Sequence, residues 1–234
     1  MQMVCSLQTH TAARRLSPAA KIILDKNGLL HRSITTSLAV QPPASYNRGM
    51  TSNRHHNFYE DGAVCFWTSS IIAGIPVLRS RTAALSLIEI WDGCRNTCGV
   101  KIVGYVIMPD HIHVAIWSEE AESVVRFLRE TLSASSAQIA ELAQRATERG
   151  NSMAARWLAQ FKARARGSAI VRVWKERGHG FPVKDADTLR QKLDYMHLNP
   201  VRKGHCARAE NWEFSSAAWY TDGSGPLRID EFDW

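Results

Sequence analysis

The chain has 234 residues, enough for one domain with a real core, and its 45% hydrophobic and 22% charged content excludes a disordered or fibrous protein. A formal charge of +7 suits a polyanionic partner, and no apolar run reaches the roughly 18 residues of a membrane span. Five cysteines, odd in number and scattered, indicate neither a zinc ribbon nor a disulfide framework, so a reducing, cytoplasmic setting with no membrane partner is expected.

Residues before about Arg54 differ from the rest. Asp25 is the only acidic residue there, among several Arg and Lys and many Ser, Thr and Ala. That composition is found in organelle transit peptides. An over-long gene start, with Met50 as the true initiator, explains it more simply and is preferred. The expected organisation is a poorly ordered leader over residues 1–53 and a single domain over 54–234.

From about Phe58 the pattern becomes regular. Residues 63–69 (AVCFWTS) are rich in aromatic and β-branched side chains and read as a strand. Residues 81–92 carry Ala84, Leu85, Leu87, Ile88 and Trp91 at helical spacing. Residues 100–107 and 111–117 form two apolar runs joined by Pro109-Asp110. The order is strand, helix, strand, strand, with the last two antiparallel and helices packed on one face.

A helical insertion follows over about 120–168. Val124, Val125, Phe127, Leu128 and Leu132 form one apolar stripe, which Ile139, Leu142 and Ala143 either continue or begin anew. After a break at Gly150-Asn151, a basic helix over 153–166 carries Arg156, Lys162, Arg164 and Arg166. Such a run is a solvated face or a set of phosphate contacts. Residues 169–174 read as a short strand, and 176–180 (ERGHG) as a polar loop. Asp185 caps a helix running to about Leu198, ended by Pro200, with Leu189, Leu193 and Met196 facing the core.

Two stretches carry chemistry. In GYVIMPDHIHVAIWS (residues 104–118), His111 and His113 share one face of a strand while Ile112, Val114 and Ile116 line the other. Two such imidazoles can hold one divalent cation, although a His-x-His pair alone is more often a pair of surface histidines. In DYMHLNP (residues 194–200), Tyr195 and Asn199 lie four apart on one helix face and His197 on the opposite flank. A phenol, two imidazoles and a metal are the parts needed for covalent phosphodiester cleavage. Tyr105, just before the histidine pair, remains a rival nucleophile.

MPDHIH, then WKERGHGFPV and DYMHLNPVRKG, with Trp212-x-Phe214-Ser215-Ser216 beyond, resembles the single-tyrosine HUH transposases, and within them the REP-associated tyrosine transposases. The resemblance covers about Phe58 to Trp234. It implies an α+β fold with a ferredoxin-like central antiparallel β-sheet that carries the HUH strand at its centre. It also implies His111 and His113 as metal ligands for Mg²⁺ or Mn²⁺, Asn199 as a third, polar ligand, and Tyr195 as nucleophile. The expected reaction is cleavage and rejoining of single-stranded, hairpin-forming DNA through a 5′-phosphotyrosine, by a monomer or homodimer. Arg156, Lys162, Arg164, Arg166, Arg202 and Lys203 are the candidate DNA contacts.

The chain departs from the family pattern at Gly178 and Gly180, where relatives carry bulkier residues, and this is expected to loosen the site. The basic insertion is also longer than in relatives. A non-catalytic DNA-binding descendant and a water-using metal-dependent phosphoesterase remain the alternatives.

Overall fold

A computed structural model describes residues 59–167 and 169–231, so the leader expected over residues 1–53 lies outside the described residues. Four strands form one antiparallel sheet in the order β2-β3-β1-β4: Val64–Ser70 (β1), Lys101–Ile107 (β2), His111–Trp117 (β3) and His179–Val183 (β4). Between β1 and β2 runs Arg81–Cys98 (α1), which Gly99 terminates in the left-handed region at φ 69. Glycine adopts that conformation without the cost a Cβ would add. Between β3 and β4 come Ala121–Glu148 (α2) and Ser152–Ala163 (α3). This βαββαβ order with a 4-1-3-2 sheet is the expected ferredoxin-like arrangement, and β3 is an inner strand.

Helices cover both faces of the sheet, not one as the strand–helix order led us to expect. Gly104 and Tyr105 are neighbours on β2 and so point to opposite sides. The Tyr105 ring meets Trp91 of α1 edge-on, with ring centroids 5.8 Å apart. On the other side, a Cβ built on Gly104 would lie 2.4 Å from Leu193 and 2.9 Å from Met196, both on Ala186–His197 (α4). Glycine at position 104 therefore sets how closely α4 approaches the sheet. Leu189, Leu193 and Met196 are buried there, as their spacing predicts.

α2 is one uninterrupted helix, so Ile139 continues the stripe that starts at Val124. It packs on α1, and α3 packs on α2. Trp91, Phe127 and Phe161 are fully buried in these layers, each contributing roughly 1.5–3 kcal/mol of transfer free energy.

The fourth strand is not where the sequence pattern puts it. Residues 169–174 form no strand, and only Trp174 makes an isolated bridge, to Ile71. The strand is His179–Val183, within the stretch that reads as a loop followed by Phe-Pro-Val. Pairing with β1 decides it. Gly178 and Gly180 leave room for the Trp67 ring of β1, since a Cβ would fall 2.1 Å and 2.7 Å from its atoms. Pro182 is tolerated because β4 is an edge strand. Trp67 points away from the face that carries His113, so the two glycines complement a large ring behind the sheet and do not loosen the site.

After α4 come a short helix, Asn199–Arg202 (α5), and the terminal Ala217–Asp222 (α6). The Tyr220 hydroxyl of α6 donates to the Val103 carbonyl at 2.5 Å, tying the chain's last helix to β2. Among the described residues no helix is long and apolar enough to cross a membrane.

Candidate active site

The sheet register places the chemistry. Thr68 pairs with His113 and Ser70 with His111 across β1 and β3, so all four side chains share the face on which α4 packs. Ile112, Val114 and Ile116, on the other face, are buried at 1% exposure or less. The His111 and His113 rings sit 5.1 Å apart at 81°.

Each imidazole holds a proton on Nδ1. His111 Nδ1 lies 2.7 Å from an Asp110 carboxylate oxygen, which can only accept, so Nδ1 carries a proton. His113 Nε2 lies 3.0 Å from the Asn199 amide nitrogen, which donates to it. The His113 proton is therefore on Nδ1, donated to Thr68 Oγ1 at 2.7 Å. Burial, reinforced by the neighbouring His111, pushes the His113 imidazole down to about 3, so it is neutral at any physiological pH. Phe66 stacks on His113 from the β1 side, at 5.6 Å between centroids.

α4 brings the second half. Asp185 caps it as expected, its carboxylate accepting from the Thr188 amide at 2.7 Å. The Tyr195 ring lies 5.6 Å from His113 and is 46% exposed, so its hydroxyl is open to a substrate. The Arg202 guanidinium sits 5.5 Å from the centre of the Tyr195 ring, a cation–π contact. Asn199 begins α5 and is 7% exposed. Tyr195, Asn199, His111 and His113 therefore meet, while Tyr105 is wholly buried behind the sheet and cannot reach the same space.

His197 takes the opposite flank of α4, as its position predicts. It is 2% exposed, its Nε2 lies 2.7 Å from Ser216 Oγ, and burial pushes it down to about 3. Ser216 Oγ in turn accepts from the Tyr105 amide at 2.9 Å, so His197 ties α4 to β2 rather than facing the site.

The donor set can hold a divalent cation without itself choosing which. The two imidazoles each hold their Nδ1–H on an oxygen acceptor, the arrangement that orients metal-binding histidines, and an amide lies against one of them. Among the described residues no group of three or more His, Cys, Asp or Glu side chains forms a metal site, so a set completed by an amide is the candidate.

The basic residues divide. Arg202 is at the Tyr195 ring, and Lys203 follows it, exposed. Arg164 and Arg166 line an open groove, whereas Arg156 and Lys162 are exposed on α3 outside its lining. Sequence reading missed Thr68 and Asp110 as partners of the histidines. Asp110 is legible in hindsight as the carboxylate beside His111, but Thr68 needs the register of β1 on β3.

Residues 76–176 match a family model described as transposase IS200 like. The matched segment holds both histidines and ends before Tyr195. No curated protein sequence matches the chain. Among solved structures, a REP-associated tyrosine transposase bound to a REP hairpin aligns with a TM-score of 0.52 at 15% identity, over 78% of this chain and 95% of that one. A Deinococcus radiodurans R1 protein assigned as a transposase aligns at 0.37 and 13% identity, over 63% and 98%. The chain resembles the IS200-like transposases. Its fold is that of the REP-associated enzyme, and the family-model match supports a transposase role.

Proposed function

We propose that the protein cleaves and rejoins single-stranded, hairpin-forming DNA through a covalent bond to Tyr195. The observation that carries this reading is the convergence of Asn199 and His113, 86 residues apart in the chain, beside the exposed Tyr195 ring. Tyr195 Oη would form a bond to the scissile phosphorus while the bond to the neighbouring 3′ oxygen breaks. The 5′ end then stays on the protein as a phosphotyrosine and the other strand leaves as a 3′-OH, the phenol's proton passing to solvent and a solvent proton to the departing 3′ oxygen. The phosphodiester is conserved in the tyrosine ester, so attack by a 3′-OH rejoins DNA without a nucleotide cofactor.

His111, His113 and Asn199 are the residues that would hold Mg²⁺ or Mn²⁺. A bound divalent ion would draw charge from the scissile phosphate. Because the donors carry no net charge, the phosphate itself supplies the anion that a hard cation needs. Arg202 holds the Tyr195 ring, and Asp110 and Thr68 orient the two imidazoles. Lys203, Arg156, Lys162, Arg164 and Arg166 supply phosphate contacts on the DNA.

A labelled single-stranded hairpin incubated with Mn²⁺ and run on a denaturing gel tests the reaction. Wild type should give a protein–DNA adduct, and Tyr195→Phe should bind the hairpin and give none. Cleavage without an adduct would mark a phosphoesterase using water; binding without cleavage would mark a DNA-binding descendant. Either result overturns the proposal.

A further inference from the structure

Next to the site lies an open groove of about 450 Å³, floored by Ile72 and Ala73 just past the end of β1. Its walls are the turn over 163–166 and the segment around Arg172–Glu176. Four cations line it, Arg164, Arg166, Arg172 and Lys175, against the single carboxylate of Glu176. Arg166 and Arg172 both approach that carboxylate, at 3.5 Å and 3.4 Å. One anion is shared between two guanidiniums, so the groove keeps a net positive charge. Its other lining residues are Ile72 and three alanines, and no aromatic ring lines it among the described residues, so its polar chemistry is that of phosphate contacts.

Its position relative to the histidines is fixed by hydrogen bonds. The Lys175 amide donates to the Ser70 carbonyl at 2.8 Å, and Ser70 pairs with His111 across the sheet. The Ile71 amide donates to the Asp110 carbonyl at 2.8 Å. With strands about 5 Å apart and a rise of about 3.3 Å per residue, the groove floor begins roughly 10 Å from His111.

Resting on the transposase reading, we infer that this groove carries the sugar–phosphate backbone of a single strand flanking the scissile phosphate. Arg164, whose guanidinium also reaches Gln160 at 3.4 Å, and Lys175 are its phosphate contacts outside the Glu176 cluster. Glu176 holds Arg166 and Arg172 forward in the DNA-free protein and is joined by phosphates when the strand enters. The sequence run flagged as basic thus splits into a groove set, extended by Arg172 and Lys175, and an outlying pair, Arg156 and Lys162.

The test is equilibrium binding of fluorescent DNA hairpins, blunt or carrying a short single-stranded extension on the 5′ or the 3′ side, across a salt series. One of the two extensions should tighten binding to wild type. In the double variant Arg164→Gln, Lys175→Gln that gain should disappear, while the blunt hairpin binds as before. Losing two single-strand phosphate contacts makes the log–log salt slope shallower by about 1.4, which is about 25-fold in affinity at 0.1 M salt. An equal charge change on α2, Arg126→Gln with Arg129→Gln, should leave the gain in place, since those exposed residues lie outside the groove. The inference fails if neither extension tightens wild-type binding, if the groove variant keeps the gain, or if the α2 pair loses as much. Scoring the Tyr195 adduct on the same probes separates the two ideas. A groove effect without an adduct sinks the covalent reaction alone, and an adduct without a groove effect sinks the groove alone.

Discussion

The Asn199 amide donates to His113 Nε2 at 3.0 Å, joining the helix that follows Tyr195 to the central strand of the sheet. The same lone pair is the one a cation would use. In the free protein the amide therefore competes with a metal, and binding needs the amide to turn its oxygen inward. Asn199→Asp should tighten Mn²⁺ binding in the absence of DNA, because a carboxylate adds charge and has no N–H to compete. Asn199→Ala should weaken it by about 10–100-fold, the usual effect of losing a group that completes or orients a metal site. Titration calorimetry with Mn²⁺ measures both; equal affinity in the two variants would remove Asn199 from the ligand set.

The histidines should separate by role. His111→Ala and His113→Ala should each raise the Mn²⁺ concentration needed for half-maximal cleavage. His197→Ala should leave that midpoint in place but lower stability by about 1–3 kcal/mol, since it opens the buried bond to Ser216. Denaturant melts alongside the metal titrations distinguish the two effects. A His197→Ala titration displaced as far as the others would mean that His197 belongs to the site.

How much of this was legible in the sequence follows from the range of each contact. The period of β3 is local, so the shared face of His111 and His113 could be read, as could the cap at Asp185 and the core stripe of α4. Placing Tyr195 and Asn199 against that face needed the family resemblance, because no periodicity says which helix meets which sheet. Thr68 was invisible because its role depends on the register of a strand 45 residues away. β4 was misplaced because Gly178, Gly180 and Pro182 look like loop residues until Trp67 is set beside them. The fold of helices on both faces turns on Gly104, whose missing side chain carries no periodic signal.

The pairing of Trp67 with Gly178 gives a third prediction. A Cβ at 178 would sit 2.1 Å from the Trp67 ring and 2.8 Å from the Thr68 carbonyl oxygen. Gly178→Ala should therefore destabilise the protein by about 1–3 kcal/mol, the typical cost of overpacking. Gly180→Ala meets side-chain atoms alone, the Trp67 ring at 2.7 Å and the Cys65 sulfur at 3.4 Å, and Trp67→Leu should relieve most of its cost. The same Trp67→Leu change should relieve Gly178→Ala less, because the carbonyl contact is backbone and cannot move aside. A double-mutant cycle by chemical denaturation reads both couplings, and equal rescue at the two glycines would contradict the packing described here.

Asp194, the residue before Tyr195, sets a pH dependence. One of its carboxylate oxygens is buried without a hydrogen-bond partner, and burial pushes the group up to about 6, against the opposing pull of Arg190 and Arg202. The folded protein therefore holds this proton more tightly than the unfolded chain, whose carboxyl titrates near 3.8. Between those values the folded state binds more protons, so stability from this group falls as pH rises. It is fully present below about pH 4 and lost above about pH 6. Asp194→Asn cannot ionise, so its stability relative to wild type should rise across that window by on the order of 1–3 kcal/mol and be flat above it. Arg202 also touches Tyr195, so the adduct yield of Asp194→Asn should be measured at both ends of the window. Urea melts of both proteins from pH 3.5 to pH 8 give the comparison. A stability difference that stays constant with pH would mean that Asp194 titrates as an ordinary surface carboxylate, and the buried oxygen would then have found a partner in solution.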